Sequence, residues 1–268
     1  MKKSSVISLV TLFLLLGLVG VSIFLWKPRA QDAVPPETTE EKQDDSPQVE
    51  QQEQDGGARL EQEKPADAPP KRVTVSMEDA LFIGDSRTVG LSEYSGIGGA
   101  DFFANVGMSV YNIHKKPVSV PTVGKVTLDE LLSQKKYGKI YLMLGINEVG
   151  YNLKQTVSKY RELLEFIEQK QPGALIFLQA NLHVTKKRSD TDEVVNNRAI
   201  NQLNQEISKL ADRKKSFYLD ENILFDDADG NLSTEKSEDT AHLYAKYYIE
   251  WGTWIVDQTG ALLEGEGR

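Results

Sequence analysis

Five residues spread along the chain have the types and spacing needed to break an ester. Ser86 is a candidate nucleophile, His242 a candidate general base, and Asp239 lies three residues before His242, close enough to orient its imidazole. The backbone N–H groups of Ser86 and Gly107 and the side-chain amide of Asn147 are candidate donors to an oxyanion. An Asn amide stabilises negative charge without titrating, and a glycine leaves the backbone accessible to a reacting carbonyl. Together they form a complete set for acyl transfer through a serine.

Each of these residues also has a purely structural explanation. Ser86 fits the N-cap of a helix, and Gly107 fits the turn at the end of a strand. Asn147 fits an Asx turn, Asp239 a helix cap, and His242 a half-buried core position. Only the joint occurrence of all five, each next to a predicted strand end or helix start, favours a catalytic site over these separate explanations.

The elements that would position these residues alternate between short apolar runs and longer amphipathic stretches. Residues 73–268 form one domain of ordinary size. Alternation of strands with helices of ten or more residues predicts a parallel sheet covered on both faces. Ligands gather at the carboxyl ends of such strands, where Ser86, Gly107 and Asn147 would lie. The predicted strands are 81–83, 101–106, 139–144, 174–180 and 217–220, and the predicted helices are 127–134, 153–167, 194–211 and 243–258.

These motifs resemble the four blocks of the SGNH (GDSL-type) hydrolases over about residues 78–260. The matching segments are Gly84-Asp85-Ser86, Gly107, Gly145-Ile146-Asn147 and Asp239-Thr240-Ala241-His242. The resemblance implies a flavodoxin-like three-layer α/β/α sandwich with a mostly parallel five-stranded sheet, and the catalytic and oxyanion roles given above. It implies an esterase, a lipase, a carbohydrate deacetylase or an O-acetyltransferase. One departure is Glu148, since the family more often carries a structural Asp there.

The N-terminus predicts a membrane anchor. Residues 6–26 contain no charge and follow Lys2 and Lys3, and as a helix they would span about 31 Å, enough to cross a hydrocarbon core. The run is long for a signal peptide, and Trp26 and Lys27 stand where a cleavage site would be expected. We expect residues 1–29 to hold the protein in a bacterial cell membrane with a single pass and the catalytic domain outside, with a cleaved signal and secretion as the alternative.

Residues 30–72 form an acidic segment rich in Pro, Glu and Gln. Between positions 31 and 70 there are twelve acidic and three basic residues, a balance of −9 that equals the net charge of the whole protein. The acidic character therefore says little about the substrate. With almost no apolar residues, the segment is expected to be a disordered linker.

Several further features narrow the function. The absence of Cys excludes disulfides, thiolate metal sites and a cysteine nucleophile. Asp227 and Asp229 suggest a calcium loop, but Phe225 and Lys236 would occupy its first and last ligand positions, so a turn is expected. The basic run at 186–188 is expected to lie in a solvated loop. His114 and His183 compete with His242 for the role of base, although neither follows an Asp by three residues.

The sequence thus predicts a serine esterase that acts on acyl esters, above all O-acetyl esters of cell-envelope glycans, through an acyl-enzyme on Ser86. The alternatives are an O-acetyltransferase with the same site, a lipase or lysophospholipase, and a non-catalytic envelope-binding module. We expect no cofactor, no metal and no nucleic-acid partner, while the oligomeric state is left open.

Overall fold

The computed structural model describes residues 75–237 and 239–266. The predicted anchor at 1–29 and the predicted linker at 30–72 lie outside the described residues. Within the described residues, no helix combines the length and the apolar character needed to cross a bilayer.

The central feature of the fold is a parallel sheet of five strands in the order β2-β1-β5-β6-β7, which confirms the predicted sheet. Two shorter strands, β3 and β4, form a separate antiparallel hairpin. All five residues of β1 are buried, as expected for a parallel strand covered on both faces. The strands are β1 (Ala80–Gly84), β2 (Asp101–Ala104), β3 (Val118–Val120), β4 (Gly124–Val126), β5 (Lys139–Met143), β6 (Leu175–Gln179) and β7 (Ser216–Leu219).

Helices cover both faces of the sheet and produce three layers. The helices are α1 (Ser86–Tyr94), α2 (Leu128–Gln134), α3 (Leu153–Lys170), α4 (Lys186–Thr191), α5 (Asn197–Ser208), α6 (Asn222–Phe225) and α7 (Ala245–Glu266), with a 3-10 turn at Ile146–Glu148. Apolar residues of α2, α3 and α5 pack in the core on one face. Those of α1, α6 and α7 pack in the core on the other face, around the fully buried Trp251.

A row of stacked aromatic rings crosses the sheet on the face covered by α7. Each of the five strands contributes one ring, from Phe102 at one edge through Phe82, Tyr141 and Phe177 to Phe217 at the other. Successive ring centroids are 4.9, 4.4, 4.8 and 5.7 Å apart. These residues are also paired in the strand register, so the aromatic stack aligns the five strands with one another.

The structure corrects the prediction for the basic run at 186–188. These residues begin the short helix α4 instead of decorating a loop. Lys186 pairs with Asp190 at 2.8 Å and Arg188 with Asp192 at 3.5 Å, each four residues along the helix. Such pairs support a helical turn that hydrophobic periodicity does not reveal, because α4 buries none of its residues.

Candidate active site

Ser86 lies where the buried strand β1 turns into α1. Asp85 is the N-cap of α1, and its Oδ1 accepts the N–H of Arg87 at 3.0 Å. Ser86 is therefore the first residue of the helix, where N–H groups lack intrahelical acceptors. The N-cap role considered for Ser86 belongs to Asp85, which leaves the serine hydroxyl available for another partner.

That partner is His242, which lies 156 residues further along the chain. The Oγ of Ser86 is 2.9 Å from Nε2 of His242, and Nδ1 of His242 is 2.8 Å from Oδ2 of Asp239. Burial alone would raise the pKa of Asp239, but hydrogen bonds from the His242 ring and from two backbone N–H groups lower it overall. Asp239 is thus a carboxylate that only accepts, so Nδ1 carries the proton and Nε2 is free to accept from Ser86.

The loop that carries His242 is fixed at three successive carbonyl groups. The carbonyl of Thr240 accepts the N–H of Thr185 at 2.9 Å, and the carbonyl of His242 accepts the Ser237 hydroxyl at 3.1 Å. Between them, the carbonyl of Ala241 accepts Nη2 of Arg87 at 3.4 Å. Thr240 has a φ of 79°, which is uncommon for a non-glycine residue, so these bonds hold the loop in a shape it would not adopt alone.

Arg87 is a part of this arrangement that the sequence analysis did not identify. It directly follows the candidate nucleophile, is 1 % exposed, and donates from Nη2 to the carbonyls of Leu182 and Ala241. The signal in the sequence is a charged residue in the first turn of a helix that begins at the end of a fully buried strand.

Gly107 and Asn147 lie on the loops after β2 and β5, the two strands that flank β1. The Nδ2 of Asn147 donates to the carbonyl of Met108 at 2.9 Å, which brings Asn147 next to Gly107 and leaves a second amide hydrogen for a ligand. Gly107 has a φ of +70°, and a Cβ built there would meet no other protein atom within 4 Å. Within the protein, glycine is therefore required by backbone conformation and not by a crowded neighbour.

Glu148, which departs from the family pattern, forms a second hydrogen bond between the loops that follow β2 and β5. Its Oε1 accepts the N–H of Val110 at 2.6 Å, and its side chain is almost fully buried. Burial raises the pKa of Glu148 to about 7, and the nearby Asp85 adds to the rise, while the Val110 N–H opposes it. The glutamate side chain, longer than that of an Asp, thus reaches a backbone donor from this position and connects the two loops.

A groove opens beside the candidate nucleophile and base. It has a volume of about 350 Å³ and lies between α1 and the segment that leads into α7. Ser86 and His242 lie at this groove together with Val89, Glu93 and Tyr94. The bond between Ser86 and His242 is therefore accessible to a small ester from this side.

The competing residues lie in other environments. His183 binds Asp226 through Nδ1 at 2.7 Å and Asn201 through Nε2 at 2.9 Å, so both ring nitrogens are occupied. His114 packs edge-on against Phe166. Asp227 forms a turn by accepting the N–H groups of Asp229 and Asn231. No cluster of His, Asp or Glu suited to a metal ion occurs among the residues that the structure describes.

Comparisons with known proteins identify the fold and the family of the chain. Solved structures share the fold, including a Streptococcus pneumonia protein described as a platelet activating factor, with TM-score 0.56 and 21 % identity over 67 % of this chain and 83 % of that one. A GDSL-like lipase of Bacteroides thetaiotaomicron gives TM-score 0.52 and 15 % identity, covering 71 % and 91 %. A family two carbohydrate esterase of Clostridium thermocellum, bound to cellohexaose, gives 0.50 and 13 %, covering 74 % and 67 %. Identities this low establish the fold alone.

The sequence itself places the chain in a family. No curated protein matches it significantly. Residues 82–248, more than half of the chain, match the GDSL-like Lipase/Acylhydrolase family. This span begins in β1, just before Ser86, and ends in α7, just after His242. The chain therefore belongs to the GDSL-like Lipase/Acylhydrolase family and is a carboxylic ester hydrolase.

Proposed function

We propose that the protein is a serine esterase that removes acyl groups, above all O-acetyl groups, from glycans of the cell envelope. The observation that carries the proposal is the chain of two short contacts from Ser86 through His242 to Asp239, at 2.9 and 2.8 Å. A hydroxyl nucleophile, a base accepting its proton and a carboxylate orienting that base are the parts that acyl transfer through a serine requires.

In the first half-reaction, Oγ of Ser86 attacks the ester carbonyl while Nε2 of His242 takes the hydroxyl proton. The carbonyl oxygen becomes an oxyanion, stabilised by the N–H groups of Ser86 and Gly107 and the amide of Asn147. The bond from the carbonyl carbon to the alcohol oxygen then breaks, and His242 returns the proton to the departing alcohol. The product is an acyl-enzyme on Ser86 and a free hydroxyl on the glycan.

In the second half-reaction, a water molecule gives a proton to His242 and attacks the acyl-enzyme, which releases the acid and restores Ser86. A sugar hydroxyl in place of water would give transfer instead. The side chain of His242 is 37 % exposed and that of Asp239 is 54 % exposed, so water reaches the site readily. This exposure favours hydrolysis as the main reaction.

The glycan substrate is the finer part of the proposal. One of the structures with the same fold is a carbohydrate esterase bound to cellohexaose, which motivates a sugar ester as the first substrate class to test. The predicted N-terminal anchor would place the enzyme at the outer face of a bacterial membrane, beside envelope glycans. Membrane fractionation with N-terminal sequencing tests the anchor, and a soluble form that begins near residue 30 would contradict it.

The decisive experiment is hydrolysis of 4-nitrophenyl acetate by the wild type and by Ser86→Ala. We expect the wild type to release acetate and to be labelled at Ser86 by a sulfonyl fluoride, because among the serines that the structure describes only Ser86 has its hydroxyl within hydrogen-bond distance of His242. Ser86→Ala should lose at least about 10³-fold in turnover. Equal rates for the two proteins, with no label on either, would overturn the esterase and leave a non-catalytic binding module.

Ser92→Ala is the matched control for this experiment. Ser92 also lies on α1, but its hydroxyl is exposed and donates to the carbonyl of Val89 at 2.7 Å. Its loss removes a serine of the same helix without touching His242, so activity and labelling should remain. Product analysis with an acetylated glycan and an unacetylated acceptor then separates hydrolysis, which gives free acetate, from transfer, which gives a newly acetylated acceptor.

Asn147→Ala tests the oxyanion site. Loss of one donor should lower kcat by about 10²–10³-fold, because the amide binds the charge that develops during attack. Substrate binding should change less, so KM is the internal control. An unchanged kcat would show that Asn147 does not stabilise the oxyanion and that its role is the hydrogen bond to Met108.

A further inference from the structure

A second cavity lies near the candidate catalytic residues and has no part in the mechanism above. Its volume is about 340 Å³, and it is bounded by the loop after β5, the start of α3 and the start of α5. Tyr151, Glu193, Val194 and Gln202 are among the residues that line it. Neither Ser86 nor His242 lines this cavity.

Contacts between two loops place this cavity close to the nucleophile. Tyr151 follows Asn147 by four residues on the loop after β5, and its ring stacks on Tyr111 of the loop after β2, with centroids 5.4 Å apart. Asn147 and Glu148 bind backbone groups of the same β2 loop. Because β2 and β5 flank β1 in the sheet, the joined loops border the end of β1, where Ser86 lies.

The tyrosine pair presents an apolar surface that is fixed in position. Tyr151 is 64 % exposed and Tyr111 is 38 % exposed. The hydroxyl of Tyr111 is held by Thr156 Oγ1 at 3.1 Å, so the pair is ordered before any ligand arrives. A flat, preorganised ring binds another flat apolar face at low entropic cost.

The wall formed by α5 and the segment before it carries polar side chains as well as apolar ones. Glu193 and Gln202 are exposed there and supply hydrogen-bond acceptors and an amide donor. A sugar ring matches this combination, since its C–H face is apolar and its rim carries hydroxyls. We propose that the cavity is a subsite for an uncharged sugar ring of the substrate, stacked on Tyr151 with hydroxyls bound by Glu193 and Gln202; this inference rests on the proposed esterase function.

The charges on the cavity favour a neutral ring over an anionic one. Glu148 and Glu193 line it, and no lysine or arginine does among the described residues. A uronic acid or a phosphorylated sugar would approach the exposed side chain of Glu193 without a compensating cation. An alkyl chain fits less well than a sugar, because it would cover Glu193 and Gln202 without replacing their hydrogen bonds to water.

Gly150 lets two segments that line the cavity come into contact. Its φ is +99°, and a Cβ there would come within 2.3 Å of Cγ1 of Val194. The loop after β5 and the segment before α5 therefore touch at this point, next to Tyr151. Close contact of the two segments gives the cavity walls on two sides, which a sugar subsite needs.

Calorimetric titration of Ser86→Ala with cellohexaose and with hexa-N-acetylchitohexaose, both uncharged, tests the subsite without turnover. We expect at least one of them to bind and an oligogalacturonate to bind more weakly. Adding Tyr151→Ala should weaken binding by about tenfold, whereas adding Tyr151→Phe should retain it because the ring remains. Ile249→Ala is the control, since it removes an exposed apolar side chain from α7, on the other face of the sheet.

Kinetics give the second arm. The ratio of kcat/KM for O-acetylated cellohexaose to that for 4-nitrophenyl acetate should fall about tenfold in Tyr151→Ala. Absence of binding by both neutral oligosaccharides, or an unchanged affinity in Tyr151→Ala, overturns the subsite even if aryl acetate hydrolysis depends on Ser86. If Tyr151→Ala instead shifts the preference between aryl acetate and aryl octanoate, the cavity holds the acyl chain and the sugar proposal is wrong. If the wild type shows no aryl esterase activity, the proposed function is refuted, but the measured binding of oligosaccharides still tests the subsite.

Discussion

Two histidine–carboxylate pairs occur in the described part of the chain, and they differ in what the second ring nitrogen contacts. Nδ1 of His242 binds Asp239 and Nδ1 of His183 binds Asp226, at 2.8 and 2.7 Å. Nε2 of His242 faces the hydroxyl of Ser86, whereas Nε2 of His183 faces the amide oxygen of Asn201. The first pair is partly exposed and the second is nearly buried.

This difference teaches that a carboxylate next to an imidazole does not by itself make a catalytic base. Both nitrogens of His183 face oxygen acceptors, so the ring is held as a donor on each side and has no nitrogen free to take a proton. His242 has one acceptor and one hydroxyl as partners, so Nε2 can take the hydroxyl proton. The third partner and the exposure of the ring determine the role of each pair.

The largest expected effect is on turnover. His242→Ala should lower kcat for 4-nitrophenyl acetate by at least about 10³-fold, because the base is removed from a group of residues that act together. His183→Ala should keep most of the activity in the fraction that is folded. His114→Ala, which removes an exposed imidazole packed on Phe166, is the control for loss of any histidine. Similar losses of kcat in His183→Ala and His242→Ala would show that the two pairs do not differ in their catalytic role.

The next largest effect is on stability, where His183→Ala should cost more than His242→Ala. His183→Ala leaves Asp226 largely buried without its cationic partner, so the free energy of unfolding should fall by about 3 kcal/mol. His242→Ala breaks a pair open to water and should cost less than about 1 kcal/mol. Urea denaturation of both variants at pH 6 measures the two values. A larger loss in His242→Ala would show that the exposed pair, not the buried one, holds the fold together.

Arg87 connects the two pairs, and its replacement should have a smaller effect on catalysis. Its Nη2 donates to the carbonyl of Leu182, just before His183, and to the carbonyl of Ala241, just before His242. Arg87→Gln should lower kcat about 10- to 100-fold with a smaller change in KM, because the base is displaced from Ser86. Arg87→Lys keeps the charge and should recover part of the rate, whereas equal rates for Gln, Lys and wild type would exclude a positioning role.

The smallest expected effect is on the pH dependence of stability. Burial alone would lower the pKa of His183, but its hydrogen bonds to Asp226 and Asn201 raise it overall. Because the pKa of His183 is raised in the folded state, the pair contributes its full stabilisation below the pKa of a histidine in the unfolded chain, about 6.5. This contribution is lost as the pH rises through the pKa of His183 in the folded state. The gap in unfolding free energy between wild type and Asp226→Asn should therefore narrow from pH 6 to pH 9 in urea titrations. A gap that is constant with pH would mean that His183 is not charged.

The two pairs also mark the limit of what the sequence predicts. Asp239 and His242 are three residues apart, so their contact was predictable from spacing, and the family motifs linked them to Ser86. Asp226 lies 43 residues from His183, on a different element, and no local pattern joins them. The same limit applies to Arg87, whose acceptors are backbone carbonyls 95 and 154 residues away.

In the fold, the five parallel strands were predictable because each is a nearly continuous apolar run. The hairpin of β3 and β4 was not, since each strand has only three residues and half of the six are exposed. The helix α4 was missed because it depends on charge pairs at the surface. Tertiary contacts, which local sequence does not encode, decide the hairpin, whereas the charge pairs of α4 are local but form no hydrophobic pattern.

The stacked rings that cross the sheet have a consequence for folding kinetics. Parallel strands that pair are separated by long stretches of chain, so their assembly is slow and open to misalignment. A strand that docks one residue out of register would turn its ring to the opposite face and leave a gap in the stack. The near-ultraviolet circular dichroism of the coupled rings should therefore reach its full amplitude only with the last strand in place, and during refolding this amplitude should return together with esterase activity.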